Sequence, residues 1–373
     1  MAPSLRALAA FAACASASAA AAAPKGLYGL SASVGLIRIA DNGTTTAVGP
    51  AMGQKYGQAQ GLSTIDAAAG VFYSILFDLS TSKPMLTGLS LSSGAIVSSV
   101  AVPFTEEGFI GVGQWLAFEG QRVIVGGQSA TQSHLVGTID PVKGGYKPVA
   151  ELNASLLDVL GGCHAAYVKS SNEVLIQLGT QTPPAINVYA IDLTSGKVRV
   201  SEQTAAANIV TLSYDQSTDI VVGLGIQTAG GKLQRTISSL DPKTLKVTVC
   251  GVAMRRAAPR CEAPSWAALR RTAPCCAALR RAALPLAHHR ERARARPRPQ
   301  TVGKTNVEVI ESGGISSYNS DSKGLYWIGD KTGSDDFFLV QNSVEAGAKV
   351  LSTGDLCAND AACPWSLEYY PGA

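Results

Sequence analysis

Short apolar runs ended by polar turns recur along most of the chain. One landmark is an apolar run that closes on a turn rich in Asp, Ser, Thr and Gly, with another strand-like run after it. It reads Ile37-Arg38-Ile39-Ala40-Asp41-Asn42-Gly43, Leu89-Ser90-Leu91-Ser92-Ser93-Gly94, Gly137-Thr138-Ile139-Asp140-Pro141, Ala190-Ile191-Asp192-Leu193-Thr194-Ser195-Gly196 and Ser239-Leu240-Asp241-Pro242-Lys243-Thr244. The turn positions 41, 92, 140, 192 and 241 are separated by 51, 48, 52 and 49 residues. A second landmark lies earlier in each unit, where a strand reaches a turn and a strongly apolar run follows. Examples are Thr64-Ile65-Asp66 to Val71-Phe72-Tyr73, Leu116-Ala117-Phe118 to Val123-Ile124-Val125, and Ala166-Tyr167-Val168 to Val174-Leu175-Ile176. Leu212-Ser213-Tyr214 to Ile220-Val221-Val222, and Ser317-Tyr318 to Leu325-Tyr326-Trp327-Ile328, continue the series. Each unit of about fifty residues thus carries four short strands with turn chemistry between them.

Four antiparallel strands per unit, repeated at this spacing, predict an all-β fold: a β-propeller, whose blades bury their faces against one another around a ring. The ends of the chain predict how the ring closes. Ser366-Leu367-Glu368-Tyr369-Tyr370 resembles the innermost strand of a blade, and Gly26-Leu27-Tyr28-Gly29-Leu30 resembles a second strand. Pairing these N- and C-terminal strands completes one blade from both termini and removes the open edge. The expectation is six blades: the composite one, then blades near 62–103, 112–152, 161–202, 208–251 and 313–352. A seventh would require a degenerate blade, and a β-sandwich or β-helix fits a four-strand unit of this length poorly. The Asp-x-x-Thr/Ser-Gly turns in this setting resemble the broad quinoprotein and YVTN class of β-propellers. That resemblance spans almost the whole chain and implies a fold, not a chemistry.

Residues 252–300 break the pattern. They carry twelve Arg, two Glu, no Lys and no Asp, with two copies of Ala-Ala-Leu-Arg-Arg. A basic polyanion-binding loop and a disordered linker are two readings of such a block. The third, which we favour, is a translated intron from a GC-rich gene. Val252 is encoded by GTN and Gln300 can be CAG, matching splice signals, and 49 codons preserve the frame. The repeat agrees: Phe338-Leu339-Val340-Gln341-Asn342 follows the previous landmark by 101 residues, or by 52 once the block is set aside.

Residues 1–23 read as a secretory signal peptide, with Arg6, a short apolar core from Ala7 to Ala13, and A-x-A cleavage sites among the small residues up to Ala23. A lipoprotein signal ending at Cys14 is the rival reading. Residues 24–373 then form one propeller domain, secreted and extracellular, with no membrane span. Secretion gives meaning to the glycosylation sequons at Asn42 and Asn153. The net charge of the chain is +4; without the block and the signal it is −7, so no nucleic-acid partner is inferred from its basicity. A monomer is expected.

Cys357 and Cys363, with five residues between them in a secreted chain, suggest a disulfide that ties down the loop before the closing strand. A metal site lacks a nearby His. Cys163 and Cys250 are left either as a pair or as two buried thiols. In a propeller, connections from one outer strand to the next inner strand surround the channel mouth. Glu106, Glu107, Asp158, His164 and Glu311 fall in such connections. They are candidates for acid–base chemistry or for binding a divalent cation such as calcium, weighed against ordinary solvated loop charge. His134 is read as exposed in a turn, and Trp115, Trp327 and Trp365 as packing between blades. The Glu-Gly-Pro-x-Trp signature of gluconolactonase-like propellers is absent, as are a nucleophile elbow, P-loop, HExxH and dinucleotide fingerprint. Two functions remain: a module binding a protein or glycan ligand, and a metal-dependent hydrolase or lyase with its site in the channel.

Overall fold

Consecutive apolar residues such as Val71, Phe72 and Tyr73 imply a strand buried on both faces. The computed structural model shows where the two faces go. It describes residues 23–31, 35–52, 56–78, 80–81, 83–102, 115–129, 133–152, 165–181, 184–203, 208–209, 211–229, 232–255, 316–330, 337–344, 350–356 and 364–372.

The described residues form six antiparallel sheets. Blade 1 holds β1 (Gly26–Ser31), β2 (Gly35–Ile39) and β3 (Thr45–Ala47). Blade 2 runs through β4 (Tyr56–Asp66), β5 (Val71–Asp78), β6 (Lys83–Ser90) and β7 (Ile96–Ala101). Blade 3 has β8 (Trp115–Phe118), β9 (Val123–Gln128), β10 (His134–Asp140) and β11 (Gly144–Leu152). Blade 4 has β12 (Ala165–Val168), β13 (Glu173–Gln181), β14 (Pro184–Asp192) and β15 (Val198–Gln203). In blade 5 the inner strand is split into β16 (Asn208–Ile209) and β17 (Ser213–Asp215), both paired with β18 (Ile220–Ala229), followed by β19 (Lys232–Leu240) and β20 (Val247–Arg255). Blade 6 has β21 (Ser316–Asn319), β22 (Gly324–Asp330), β23 (Phe337–Ser343) and β24 (Val350–Asp355). The last strand, β25 (Pro364–Tyr370), returns to blade 1 and pairs antiparallel with β1, Leu27 opposite Tyr369. Six blades and closure by both termini are therefore as the repeat predicts.

The core is six apolar clusters, each filling one junction between neighbouring blades. On β5, Val71, Tyr73 and Ile75 pack towards blade 3 with Leu116, Val123 and Val125, while Phe72 and Leu76 pack towards blade 1 with Tyr28, Leu30 and Tyr370. The same division holds between blades 3 and 4, 4 and 5, 5 and 6, and 6 and 1. Each fully buried aliphatic or aromatic side chain contributes roughly 1.5–3 kcal/mol. The interfaces as a whole bind the ring. Where backbones approach closely, side chains are excluded: a Cβ on Gly223 would lie 1.6 Å from the Thr211 carbonyl oxygen, where the split inner strand crosses β18.

The first four residues of the 252–300 block, Val252 to Arg255, extend β20 and pair with β19, Thr236 opposite Val252. The boundary set from composition therefore lies inside a strand, because Val-Ala-Met has enough apolar character to continue the ladder. The rest of the block lies outside the described residues, as do residues 1–22.

Candidate functional site

The inner strands β25, β4, β8, β12, β17 and β21 neighbour one another around the ring. The connections carrying Glu106, Glu107, Asp158, His164 and Glu311 start and end on this ring of blades: Val102 ends blade 2, Trp115 opens β8, Leu152 ends β11 and Ala165 opens β12. The five candidates themselves lie outside the described residues, with Asn153, Cys163, Cys357 and Cys363. Asn42 is exposed in the β2–β3 turn, where its Oδ1 accepts a hydrogen bond from the Thr44 N–H at 3.0 Å. Cys250 has no disulfide partner among the described residues and lies half-buried beside the blade 5–6 cluster.

His134 is not in a turn. It opens β10, opposite Gln128 and Leu152, and has no exposed surface. The Trp115 indole N–H donates to its Nε2 at 2.9 Å, and the two rings stack with centroids 6.1 Å apart. Trp115 needs space to lie there: a Cβ on Gly126 would meet its ring at 2.2 Å. Burial pulls the imidazole down to about 3, so it is neutral, with the proton assigned to Nδ1 by the bond at Nε2. Among the described residues, that Nδ1 has no hydrogen-bond partner. A sealed, neutral ring with its basic nitrogen engaged cannot serve as a general base. Reading this His as exposed failed because its neighbour in space, Trp115, is nineteen residues away in sequence. Trp115 and Trp327 do pack between blades, and Trp327 donates its own N–H to Asn342 Oδ1 at 2.7 Å. The Trp365 side chain lies outside what is described.

Next to His134, Ser133 Oγ donates to Glu151 Oε1 at 2.6 Å and shares a hydrogen bond with Ser129 at 2.8 Å. This network closes the β9–β10 hairpin.

One titratable group in the ring of inner strands has no counterpart in the sequence reading. Glu368 of β25 accepts a hydrogen bond from Ser63 Oγ of β4 at 2.9 Å, across the blade 1–2 junction. Burial raises its carboxyl to about 8, with the Ser63 bond opposing that rise. The neighbouring Ser366 hydroxyl is buried without a partner among the described residues. A signal was present: Glu368 is a single acid within Ser366-Leu367-Glu368-Tyr369-Tyr370.

On the turn side, carboxylates are spent on structure. Asp140 Oδ1 accepts from the N–H groups of Lys143 and Val142, Asp192 from those of Ser195 and Thr194, and Asp241 from that of Lys243. These bonds hold all three carboxyls below their ordinary range. Others tie blades together. Tyr318 of blade 6 donates to Asp215 of blade 5 at 2.9 Å, Tyr326 donates to Asp41 of blade 1 at 2.6 Å, and Ser170 of blade 4 donates to Asp219 of blade 5 at 2.6 Å. Arg199 grips Glu173 through Nε at 2.9 Å and Nη2 at 2.6 Å, then reaches the carbonyls of Pro242 and Lys243 in the next blade. Among the described residues, no three His, Cys, Asp or Glu side chains converge as a metal site would require.

No family model and no curated protein sequence matches the chain. Solved structures do. TolB from Acinetobacter baumannii is similar at a TM-score of 0.53 and 10% identity, over 92% of this chain and 66% of that one. A chain of a nidogen–laminin complex is similar at 0.53 and 8% identity, over 92% of this chain and 97% of that one. The likeness is one of fold. It agrees with the six-bladed ring and leaves the chemistry to the residues.

Proposed function

We propose that the chain is a secreted binding module that engages a protein or glycan ligand through the face bearing its long blade-to-blade connections. The observation that carries this reading is how the described polar side chains are used. Asp41, Asp140, Asp192, Asp215, Asp219, Asp241 and the Arg199–Glu173 pair all serve turns or blade junctions. These side chains are committed to the ring itself, and loops held on such a scaffold are where recognition concentrates. The similar propeller of the nidogen–laminin structure is part of a protein complex, which fits such a role. The resemblance to the quinoprotein and YVTN class fits it equally.

A glycan array probed with the purified secreted chain, with elemental analysis of the same sample, tests the reading. Saturable binding that EDTA leaves unchanged is expected. Binding should weaken in Glu106→Ala, Asp158→Ala, His164→Ala or Glu311→Ala while the melting temperature holds. A stoichiometric divalent ion, with lactone or polysaccharide turnover that EDTA abolishes, would overturn it in favour of the enzyme.

A further inference from the structure

The strand registers of blade 1 say which face of the ring each of its turns occupies. β25 enters at Pro364 from the side of the blade-to-blade connections and runs to Tyr370, which lies opposite Gly26 at the start of β1. β1 returns to the connection side at Ser31, opposite Gly35, and β2 runs back to Ile39, opposite Leu27. The β2–β3 turn therefore lies on the far face, away from the connections. Its hydrogen bonds are made without the Asn42 amide nitrogen. The Gly43 N–H donates to the Ala40 carbonyl at 2.8 Å, the Ala40 N–H to the Thr44 carbonyl at 2.9 Å, and the Thr44 N–H to Asn42 Oδ1 at 3.0 Å. Gly43 closes the turn with a φ of 82°, which its lack of a Cβ permits. Asn42 and Thr44 are exposed, and among the described residues Asn42 Nδ2 makes no hydrogen bond. A turn Asn need not leave that nitrogen idle: Asn172 spends its own Nδ2 on Thr194 Oγ1 at 2.9 Å.

We propose that Asn42 is an N-glycosylation site whose glycan stands on the turn face of blade 1 and leaves the connection face open to a partner. The inference rests on the secretion reading above, because the transfer takes place in the secretory lumen. The co-reactant is a lipid-pyrophosphate-linked oligosaccharide. A bond forms between Nδ2 and the anomeric carbon of its first sugar. The bond from that carbon to the pyrophosphate oxygen breaks, its electron pair leaves on the phosphate, and Nδ2 gives up one proton. The amide oxygen is unchanged, so the Thr44 N–H keeps its acceptor. The neighbouring bond from Tyr326 to Asp41, which ties blade 6 to blade 1 at 2.6 Å, uses a different side chain and is untouched. The transfer acts on the nascent chain, so the folded turn has only to carry the glycan, and it does so without losing a hydrogen bond. The second sequon differs in place: Asn153 follows Leu152 at the end of β11, on the connection side, since Leu152 lies opposite His134 and His134 opposite Gln128. Sequence treats the two sequons alike; the fold sets Asn42 apart.

Expression of the full chain, leader included, in a eukaryotic secretory host tests this. Protein from the medium is cut with trypsin, and the Ile39–Lys55 peptide is read by mass spectrometry with any glycan intact, which keeps glycosylation apart from spontaneous deamidation at Asn42-Gly43. Most copies should carry a glycan on Asn42. Thr44→Ala removes the sequon hydroxyl but keeps the backbone N–H that Asn42 Oδ1 accepts; it should lose the glycan completely and still be secreted. Thr44→Ser, which keeps the sequon, should keep the glycan. A secreted chain with Asn42 bare, or with a glycan on Asn153 alone, overturns the inference and leaves secretion standing. So does a glycan on this peptide that survives Thr44→Ala. A chain retained in the cell with its leader uncut overturns the secretion reading, and this inference with it.

Discussion

Trp115 and His134 show how one pair of polar atoms is accommodated inside an apolar junction. The indole N–H must be satisfied once buried, and the imidazole Nε2 satisfies it at 2.9 Å. Trp115→Phe keeps most of the apolar surface but leaves Nε2 buried without its donor. It should destabilise the fold by about 1–3 kcal/mol in urea denaturation, the cost of an orphaned buried polar group. His134→Phe in the same background removes the orphan and should recover part of that loss; a double variant no more stable than Trp115→Phe alone would contradict the account. At the same scale, the bidentate grip of Arg199 on Glu173 explains a basic residue on an otherwise solvent-facing outer strand. Lysine cannot reproduce that fork.

The elements differ in how legible they were. Middle strands were plain in sequence, because a blade sandwiched on both sides demands consecutive apolar residues, as in Val123-Ile124-Val125. The Asx-type turns were plain too, since Asp140, Asp192 and Asp241 fold back onto their own following N–H groups, a local event. Less legible were features made by distant segments meeting: the burial of His134, the split of the blade 5 inner strand, and the carboxyl of Glu368. The candidate mouth residues follow from topology alone, and the described residues bring together the strand ends that flank them. Glu368 gives the inner strands a pH signature. Its folded value of about 8 lies above the ordinary 4.5, so its stabilising contribution is complete below about pH 4.5 and is lost as pH rises through 8. The turn carboxylates act oppositely: Asp140, Asp192 and Asp241, held below 3.8, contribute above that value and lose it as pH falls further. The free energy of unfolding in urea should therefore peak in mildly acidic solution and decline towards pH 8, by at most about 1.4 kcal/mol per pH unit. Glu368→Gln should flatten the alkaline side alone. An unchanged decline in that variant would remove Glu368 as its cause.

At the scale of the whole molecule, closure and the 252–300 block pose one question: how a ring tolerates a long insertion between two of its blades. The ring is held by six junctions, and β25 contributes to two of them through Leu367, Tyr369 and Tyr370. The inserted block lies between β20 and β21, where the blade 5–6 junction is already filled by Leu224, Ile237, Tyr318 and Trp327 from the flanking blades. The described members of that junction all come from strands on either side of the block. Among the described residues, Val252 to Arg255 are the block's part of a ladder, and excision places Thr301-Val302-Gly303-Lys304 directly after Gly251, a segment of comparable strand character. A chain with Gly251 joined to Thr301 should accordingly fold with a melting temperature equal to or above that of the full chain, since closing a shorter loop costs less entropy. Its net charge after signal removal should be −7, visible as an acidic isoelectric point. The mature transcript should lack codons 252–300. A transcript that keeps them, together with an excised chain that fails to fold, would make the block a working part of the propeller and not a translated intron.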